Sequence, residues 1–310
     1  MDWVRPVEDL SAGDRKLAGG KAVHLGALTR AGLNVPRACV VAEAAYREFV
    51  DRTGLRGRIL IEFSRKRLDQ MRWEEMWDAS LRIRHMFAQA SWPAPVRERV
   101  APALETAFGD TAVAVRSSAP EEDTQRASFA GVHASFVNVR GPDAILEHVK
   151  LVWASLFSDA ALLYARELGL DVLSSSMAVV VQELVRGDCS GVAFTRSPTR
   201  EEQGVIEAVH GLNQGLVDGV IAPDRWLVSR ESGGVERHEP AERDRWVVAE
   251  ASAAVVEALP EALKAQPPLD SSRLSRVWRT AAEIERLFGA AQDVEWTFAG
   301  DDLFVLQARP

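Results

Sequence analysis

The sequence predicts a mixed α+β fold with lobes arranged around a cleft, and three observations predict it. Helical stretches alternate with short apolar strands along the whole chain. The alternation never settles into a repeat of roughly 20–50 residues, which excludes a solenoid or propeller. At 310 residues the chain is long enough for a large core divided into two or three lobes. Hydrophobic residues at 47% and charged residues at 26% are ordinary for a globular enzyme and exclude a disordered or fibrous chain. The formal net charge of -8 argues against a nucleic-acid partner, while a local cluster of arginines around a polyanion stays compatible with it.

Taken in order, Gly19-Gly20-Lys21 leads into a helix over residues 22–31, where Leu25 and Leu28 repeat at helical spacing and Gly32 ends the run. Val35-Pro36 opens a strand over 38–42. From 51 to 108 the pattern is helical and charged, with Arg65, Lys66, Arg67, Glu74 and Glu75 read as solvated faces. A strand over 112–116 runs into a polar, glycine-containing loop over 117–131. Another strand is expected at 137–139, and one or two helices over 142–168. Residues 177–184, 192–195 and 204–209 read as buried strands. The stretch 230–270, with Gly233-Gly234, Pro267-Pro268 and a helical run between them, reads as a peripheral elaboration. An amphipathic helix over 272–288 precedes a closing hairpin, 293–298 and 303–309, around Gly300-Asp301-Asp302.

The N-terminus carries Asp2, Glu8 and Asp9 without an apolar stretch of signal-peptide length, and nowhere do about 18 apolar residues run together. Cys39 and Cys189 lie far apart with no metal-ligand spacing, as two small buried side chains in a reducing compartment would. A cytoplasmic protein with no membrane partner is expected.

Three segments carry chemistry. Glycines at 19 and 20 allow a close approach of backbone to ligand, the first turn of the helix favours anions, and Lys21 adds a point charge. Two glycines before a helix also serve as an ordinary turn, and the P-loop spacing is absent. The strand ending in Arg116-Ser117-Ser118 delivers a guanidinium and two hydroxyls suited to phosphate, and the small-residue loop with Phe129 suits a lid; an ordinary surface loop reads the same way. In the closing hairpin, alternation puts Asp293 with Glu295 and Gln307 with Arg309 on one face. A three-residue loop over 300–302 would set Glu295 opposite Gln307 and Asp293 opposite Arg309. That face suits Mg²⁺ held partly by nucleotide phosphates, or a solvated cross-strand salt bridge, with Val294, Trp296 and Phe298 burying the other side.

In chain order, the strings GGKAVHLGALTRAGLNVPRACVV, AVRSSAPEED, ASFAGVHASFVNV, VVVQELV, SGVAFTRSP, VIEAVHGLNQGLVDGVIAPDRW, DVEWTF and LQARP resemble the N-terminal ATP-binding domain shared by phosphoenolpyruvate synthase, pyruvate phosphate dikinase and rifampicin phosphotransferase. The resemblance covers nearly the whole chain. It implies an ATP-grasp fold, a single domain over 1–310 whose two main lobes, about 1–180 and 181–310, enclose the nucleotide cleft. It also implies ATP and Mg²⁺ as cofactors. Lys21 and Arg116 match the family's ATP-phosphate ligands, and Gly131 and Ser135 fall in its lid. Gln182 and Leu184 match the segment bordering adenine. Glu295 and Gln307 match the Mg²⁺ and nucleotide ligands, Arg309 completes the phosphate grip, and Asp293 matches a further acid. Lys21, Arg116 and Arg309 are thereby the expected catalytic charges.

Two departures from the family pattern shape the functional expectation. The phosphate-side loop, commonly G-L-G-E in the family, here reads Gly211-Leu212-Asn213-Gln214, and the lid reads Gly131-Val132-His133 in place of a polar run. None of His24, His85, His133, His148, His210 or His238 stands in a carrier-histidine context such as T-x-x-[ST]-H-A. The resemblance implies a Mg-ATP-dependent phosphotransferase of dikinase type. Its β-phosphoryl group would pass to a carrier His on a separate protein or on further domains, leaving AMP and phosphate. The chain would be either stand-alone or a portion of a longer protein. A direct small-molecule kinase or ligase and a non-catalytic ATP-binding module are the rival readings.

Overall fold

A computed structural model describes residues 2–119, 123–124, 127–128, 133–250 and 253–310. The chain divides into two compact units, Met1–Gly26 with Arg37–Glu183, and Ala27–Pro36 with Leu184–Pro310.

The first unit contains strands β1 (Val4–Pro6), β2 (Ala38–Val41), β3 (Val113–Ser118), β4 (Asp123–Thr124), β5 (Ala127–Ser128), β6 (Ser135–Val139) and β7 (Ala178–Glu183). Five of them form an antiparallel sheet in the order β1-β2-β7-β3-β6, and β4 pairs with β5. Its helices are α1 (Arg15–Arg30, whose last four residues count with the second unit), α2 (Glu43–Arg52), α3 (Leu55–Arg65), α4 (Trp73–Gln89), α5 (Ala94–Phe108), α6 (Pro142–Ala154) and α7 (Asp159–Leu168). Strand alternation sorts the sheet into two faces. Cys39, Val41, Val113, Val115, Val179 and Val181 point into one core with Tyr46, Phe49, Phe87, Trp153 and Phe157 from the helices. Ala38, Ala114, Arg116, Val180 and Gln182 occupy the other face. The Trp153 ring, fully buried, stacks at a tilt against Phe49 at 5.3 Å and Trp92 at 5.4 Å. A buried aromatic of this kind contributes about 1.5–3 kcal/mol through area alone. The expected one or two helices over 142–168 are α6 and α7, and Ser158 separates them by accepting a hydrogen bond from Ala161 N at 3.1 Å.

The second unit contains β8 (Cys189–Phe194), β9 (Gln203–His210), β10 (Asp224–Ser229), β11 (Val235–Glu239), β12 (Arg245–Ala249), β13 (Ala254–Ala258), β14 (Asp293–Ala299) and β15 (Asp302–Arg309), with α8 (Gln214–Val217), α9 (Glu261–Lys264) and α10 (Ser271–Phe288). Six strands form an antiparallel sheet in the order β11-β10-β9-β8-β14-β15. Strands β12 and β13 pair with each other. Helix α10 starts where Asp270 accepts from Arg273 N at 2.8 Å and stops at Gly289, which takes φ +69. Its buried Leu274, Val277, Trp278, Ala281 and Ile284 form the apolar stripe, and Arg273 and Arg276 lie over the Phe298 ring. The helix therefore covers the sheet face that carries Phe298.

The structure corrects several expectations. The helical run expected inside 230–270 is only the four-residue α9 among the described residues, and β11, β12 and β13 precede it in that stretch. Alanines and glutamates there mimic a helical pattern, but Val247 opposite Val256 and Val248 opposite Val255 form cross-strand pairs that favour a ladder. Ser117 and Ser118 belong to β3, not to the loop beyond it. The helical stretch begins at Glu43, ahead of residue 51. The closing hairpin reaches the expected register by another route. Ala299 pairs with Asp302, so the loop is two residues, and one extra residue in β15 shifts the ladder between Glu295 and Trp296.

Candidate functional site

In the first unit the site is built on a tie between α1 and the end of β3. Gly19 takes φ +78 and ψ 169 and breaks α1 in two. A Cβ at Gly19 would stand 2.1 Å from the Ser118 carbonyl oxygen, so only glycine permits this approach. Gly20 N donates to Ala119 O at 3.2 Å, Ser118 Oγ donates to Ala18 O at 2.7 Å, and Ala22 N donates to Ser118 Oγ at 3.2 Å. Ser118 is thus a clamp that positions the helix and not the phosphate contact expected of it. Lys21, in the first turn beyond the break, donates from Nζ to Ser117 Oγ at 3.2 Å.

Arg116 pairs across the sheet with Ser135 on β6 and Val180 on β7, while Gln182 pairs with Ala114 and Ala38. By alternation, Arg116, Ser135 and Gln182 share the face turned from the helical core. Gln182 is 2% exposed, and its Nε2 has no hydrogen-bond partner. A buried amide donor left unpaired costs about 1–3 kcal/mol, and Gln182 stands between two alanines, Ala38 and Ala114, that offer it no side-chain acceptor. Phe129 and Gly131 lie outside the described residues. His133 lines a cavity of about 160 Å³ with Ala119, Asp171, Ser174, Ser175 and Ser176.

In the second unit β14 presents Asp293 and Glu295 on one face and buries Val294, Trp296 and Phe298, each no more than 1% exposed, on the other. Glu295 stands opposite Gln307 and Asp293 opposite Arg309. Asp293 Oδ2 lies 3.5 Å from Arg309 Nε. Burial pushes the Asp293 carboxyl above its ordinary range, the Arg309 guanidinium pulls it part of the way back, and Glu295 adds to the rise. The same face carries the Glu207–Arg225 ion pair at 3.2 Å. Leu184 follows directly on β7 and is half-buried.

One residue of this site was missed in the sequence. Asn213, 5% exposed in the loop between β9 and α8, donates from Nδ2 toward Glu295 Oε2 at 3.4 Å. The two residues are 82 positions apart, and no local pattern signals their meeting. The loop is held by β12: Leu212 N donates to Val247 O at 2.8 Å, and Val209, Leu212, Ile221 and Val247 form a small apolar cluster.

Among the described residues no three His, Cys, Asp or Glu side chains gather as a metal site. The grouping that does form is one carboxylate with amides: Glu295, the 6%-exposed Gln307 and Asn213. The oxygens of Glu295 and Gln307, hard and few in number, fit a Mg²⁺ ion that takes its remaining ligands from water and phosphate.

Residues 15–310 match the family model described as "Pyruvate phosphate dikinase, AMP/ATP-binding domain". The chain belongs to this family. It is 33% identical to the probable phosphoenolpyruvate synthase of Methanocaldococcus jannaschii, over 100% of this chain and 27% of that protein. It is 35% identical to the rifampicin phosphotransferase of Streptomyces sviceus, over 99% of this chain and 36% of that protein. Against the phosphoenolpyruvate synthase of Aeropyrum pernix the identity is 34%, over 98% and 42% respectively. The chain therefore spans less than half the length of these relatives and corresponds to their AMP/ATP-binding portion. No helix among the described residues is long and apolar enough to cross a membrane.

Proposed function

We propose that this AMP/ATP-binding domain is an ATP-grasp that binds Mg-ATP and acts as the nucleotide half of a dikinase-type phosphotransferase. The observation that carries the reading is the match of residues 15–310 to the family model. Two geometric features support it: the tie that sets Lys21 beside Ser117, and the pairing of Glu295 with Gln307.

Lys21, Arg116 and Arg309 supply positive charge to the phosphates, where phosphoryl transfer depends mainly on positioning and on neutralising oxygen charge. Gly131 and Ser135 belong to the lid, and Gln182 and Leu184 border the adenine. Gln182 offers its unpaired Nε2 as a donor to the base. Glu295 and Gln307 hold Mg²⁺, which, when bound, neutralises charge on the phosphate oxygens. The β-phosphoryl group passes to a carrier histidine on another domain or protein with AMP as the leaving group, and water cleaves the β–γ bond and carries off the γ-phosphoryl group as phosphate. The relatives' extra length accommodates such domains.

The test follows labelled ATP with Mg²⁺, with and without a candidate carrier-histidine protein. AMP and a phosphorylated histidine are expected. ADP formed with a small acceptor would instead establish direct transfer, and ATP binding without turnover on any partner would leave a binding module. Lys21→Ala, Arg116→Ala and Glu295→Ala should each weaken Mg-ATP binding or turnover; unchanged behaviour in all three sinks the assignment.

A further inference from the structure

We infer that Asn213 is a ligand of the divalent cation, contributing its side-chain oxygen beside Glu295; this rests on the proposed Mg-ATP reading. Four observations lead there. Asn213 is 5% exposed, so its amide cannot satisfy itself with bulk solvent. Its Oδ1 has no hydrogen-bond partner, and the next side chain, Gln214, likewise keeps its Oε1 buried and unpartnered. Its Nδ2 sits 3.4 Å from Glu295 Oε2. Glu295 in turn faces Gln307 across the β14–β15 ladder.

The chemistry of an amide beside a carboxylate explains the orientation. With no cation at hand, Asn213 must turn its NH₂ group toward the Glu295 oxygen, because the reverse would oppose two acceptors. The donor contact is long, and it strands the oxygen. Rotating the amide by half a turn exchanges the two atoms almost in place. Oδ1 then lies about as far from Glu295 Oε2 as Nδ2 does now. Two oxygens bound to one Mg²⁺ at about 2.1 Å in octahedral geometry stand roughly 3 Å apart, so a closure of a few tenths of an ångström completes the pair. The rotation gives Oδ1 the cation as its partner and carries Nδ2 to the buried position that Oδ1 held. A ligand set of Glu295, Gln307 and Asn213 has one negative charge and two neutral oxygens. That charge count suits a cation whose remaining charge is met by nucleotide phosphates.

The fixed surroundings of the loop support the same role. Gly211 N donates to Asp188 O at 2.9 Å and Leu212 N to Val247 O at 2.8 Å, so the backbone just before Asn213 is anchored on two sides. A side chain whose only task was to fill space would not need an amide here, and an apolar residue would avoid the stranded oxygen.

The experiment uses Mn²⁺ as the probe, with ATP present, on the full chain and on Asn213→Ala, Asn213→Asp and Glu295→Gln. Mn²⁺ affinity is read by electron paramagnetic resonance, and the number of metal-bound waters by ¹⁷O-water broadening of the same signal. If Asn213 is a ligand, Asn213→Ala lowers Mn²⁺ affinity by at least about tenfold, the lower end of what loss of a supporting partner costs, and adds one metal-bound water. Asn213→Asp melts lower without metal, because two carboxylates then face each other, and recovers on adding Mn²⁺. An Asn213→Ala protein with wild-type affinity or an unchanged water count overturns the inference, while a weakened Glu295→Gln protein in the same series leaves the Mg-ATP reading standing. Wild-type Mn²⁺ and ATP binding in Glu295→Gln as well would overturn both.

Discussion

Gly19→Ala is the substitution whose consequence the structure sets most sharply. At φ +78 and ψ 169, Gly19 occupies backbone space that is essentially closed to other residues, and holding alanine there costs about 1–3 kcal/mol. The new Cβ would also meet Ser118 O at 2.1 Å, against an ordinary contact of 3.4–4 Å, so the strand end must retreat by more than an ångström. Ser118 Oγ then loses its bonds to Ala18 O and Ala22 N, worth about 1 kcal/mol each. Together these give about 3–5 kcal/mol, or roughly 6–20 °C in melting temperature for a unit of this size. Gly169→Ala is the internal control in the same unit. Gly169 also has positive φ, +66, but a Cβ there meets nothing within 4 Å, so the cost is about 1 kcal/mol, roughly 2–4 °C. Calorimetry of both variants without nucleotide isolates the collision from the backbone preference. ATP titration of Gly19→Ala then reports whether Lys21 has been displaced, with a large loss of affinity expected. If Gly19→Ala melts within a few degrees of Gly169→Ala and keeps its ATP affinity, the tie between α1 and β3 does not position Lys21.

Three further outcomes follow from other parts of the molecule. Asp224, 1% exposed, receives Arg243 Nε at 2.6 Å and Nη2 at 2.7 Å; Arg243→Ala leaves that carboxylate buried without its main partner and costs about 3–5 kcal/mol by urea unfolding, with Asp224→Asn/Arg243→Ala closer to wild type. Burial lowers the pKa of His210, whose Nε2 lies 3.1 Å from Gln266 O, so the stability it provides is present above the ordinary imidazole value and is lost as pH falls below it; protection of the Lys264, Ala265 and Gln266 amides, taken relative to their intrinsic exchange rates, should fall between pH 7 and 5, and His210→Gln should remove that dependence. Burial raises the Cys39 thiol to about 12 and the Cys189 thiol to about 11; neither should react with a thiol reagent at pH 8 in the folded chain, and both should react in denaturant.

The reach of the sequence differed by element, for physical reasons. Periodicity located α10 and the closing hairpin because each buries one face, and that face is written in the order of residues, while β7, buried on both faces, shows as an unbroken apolar run. It failed over β11 to β13, where β11 and β13 bury no residue and β12 buries only Val247, so no buried face marks the strand period. The Glu295–Gln307 pairing was legible from alternation, yet the assumed three-residue loop was wrong. A two-residue loop followed by one extra residue in β15 sums to the same offset at Glu295, and no count along the chain separates the two routes.

The site shows the same division between local and distant causes. Lys21 and Arg116 could be singled out because each is flagged by its neighbours, a glycine pair before a helix and hydroxyls after a strand. What holds them is not local: Ser118 reaches back across 100 residues to Ala18, and Asn213 meets Glu295 across 82. This reverses the weight of the two substitutions in the Gly211-Leu212-Asn213-Gln214 loop. Read along the chain, Gln214 is the notable change, since it removes a carboxylate. In the folded unit Asn213 is the residue that touches Glu295, with an oxygen that only a cation or a donor can satisfy. A neutral oxygen ligand entering where a nearby charge has left would keep hard oxygen donors around the ion while reducing its negative surroundings. Such a site holds a cation more weakly by itself and relies more on the nucleotide's own phosphates to complete the charge. With Asn213 as the cation ligand inferred above, the expected behaviour is a cation that binds as its nucleotide complex and only weakly alone.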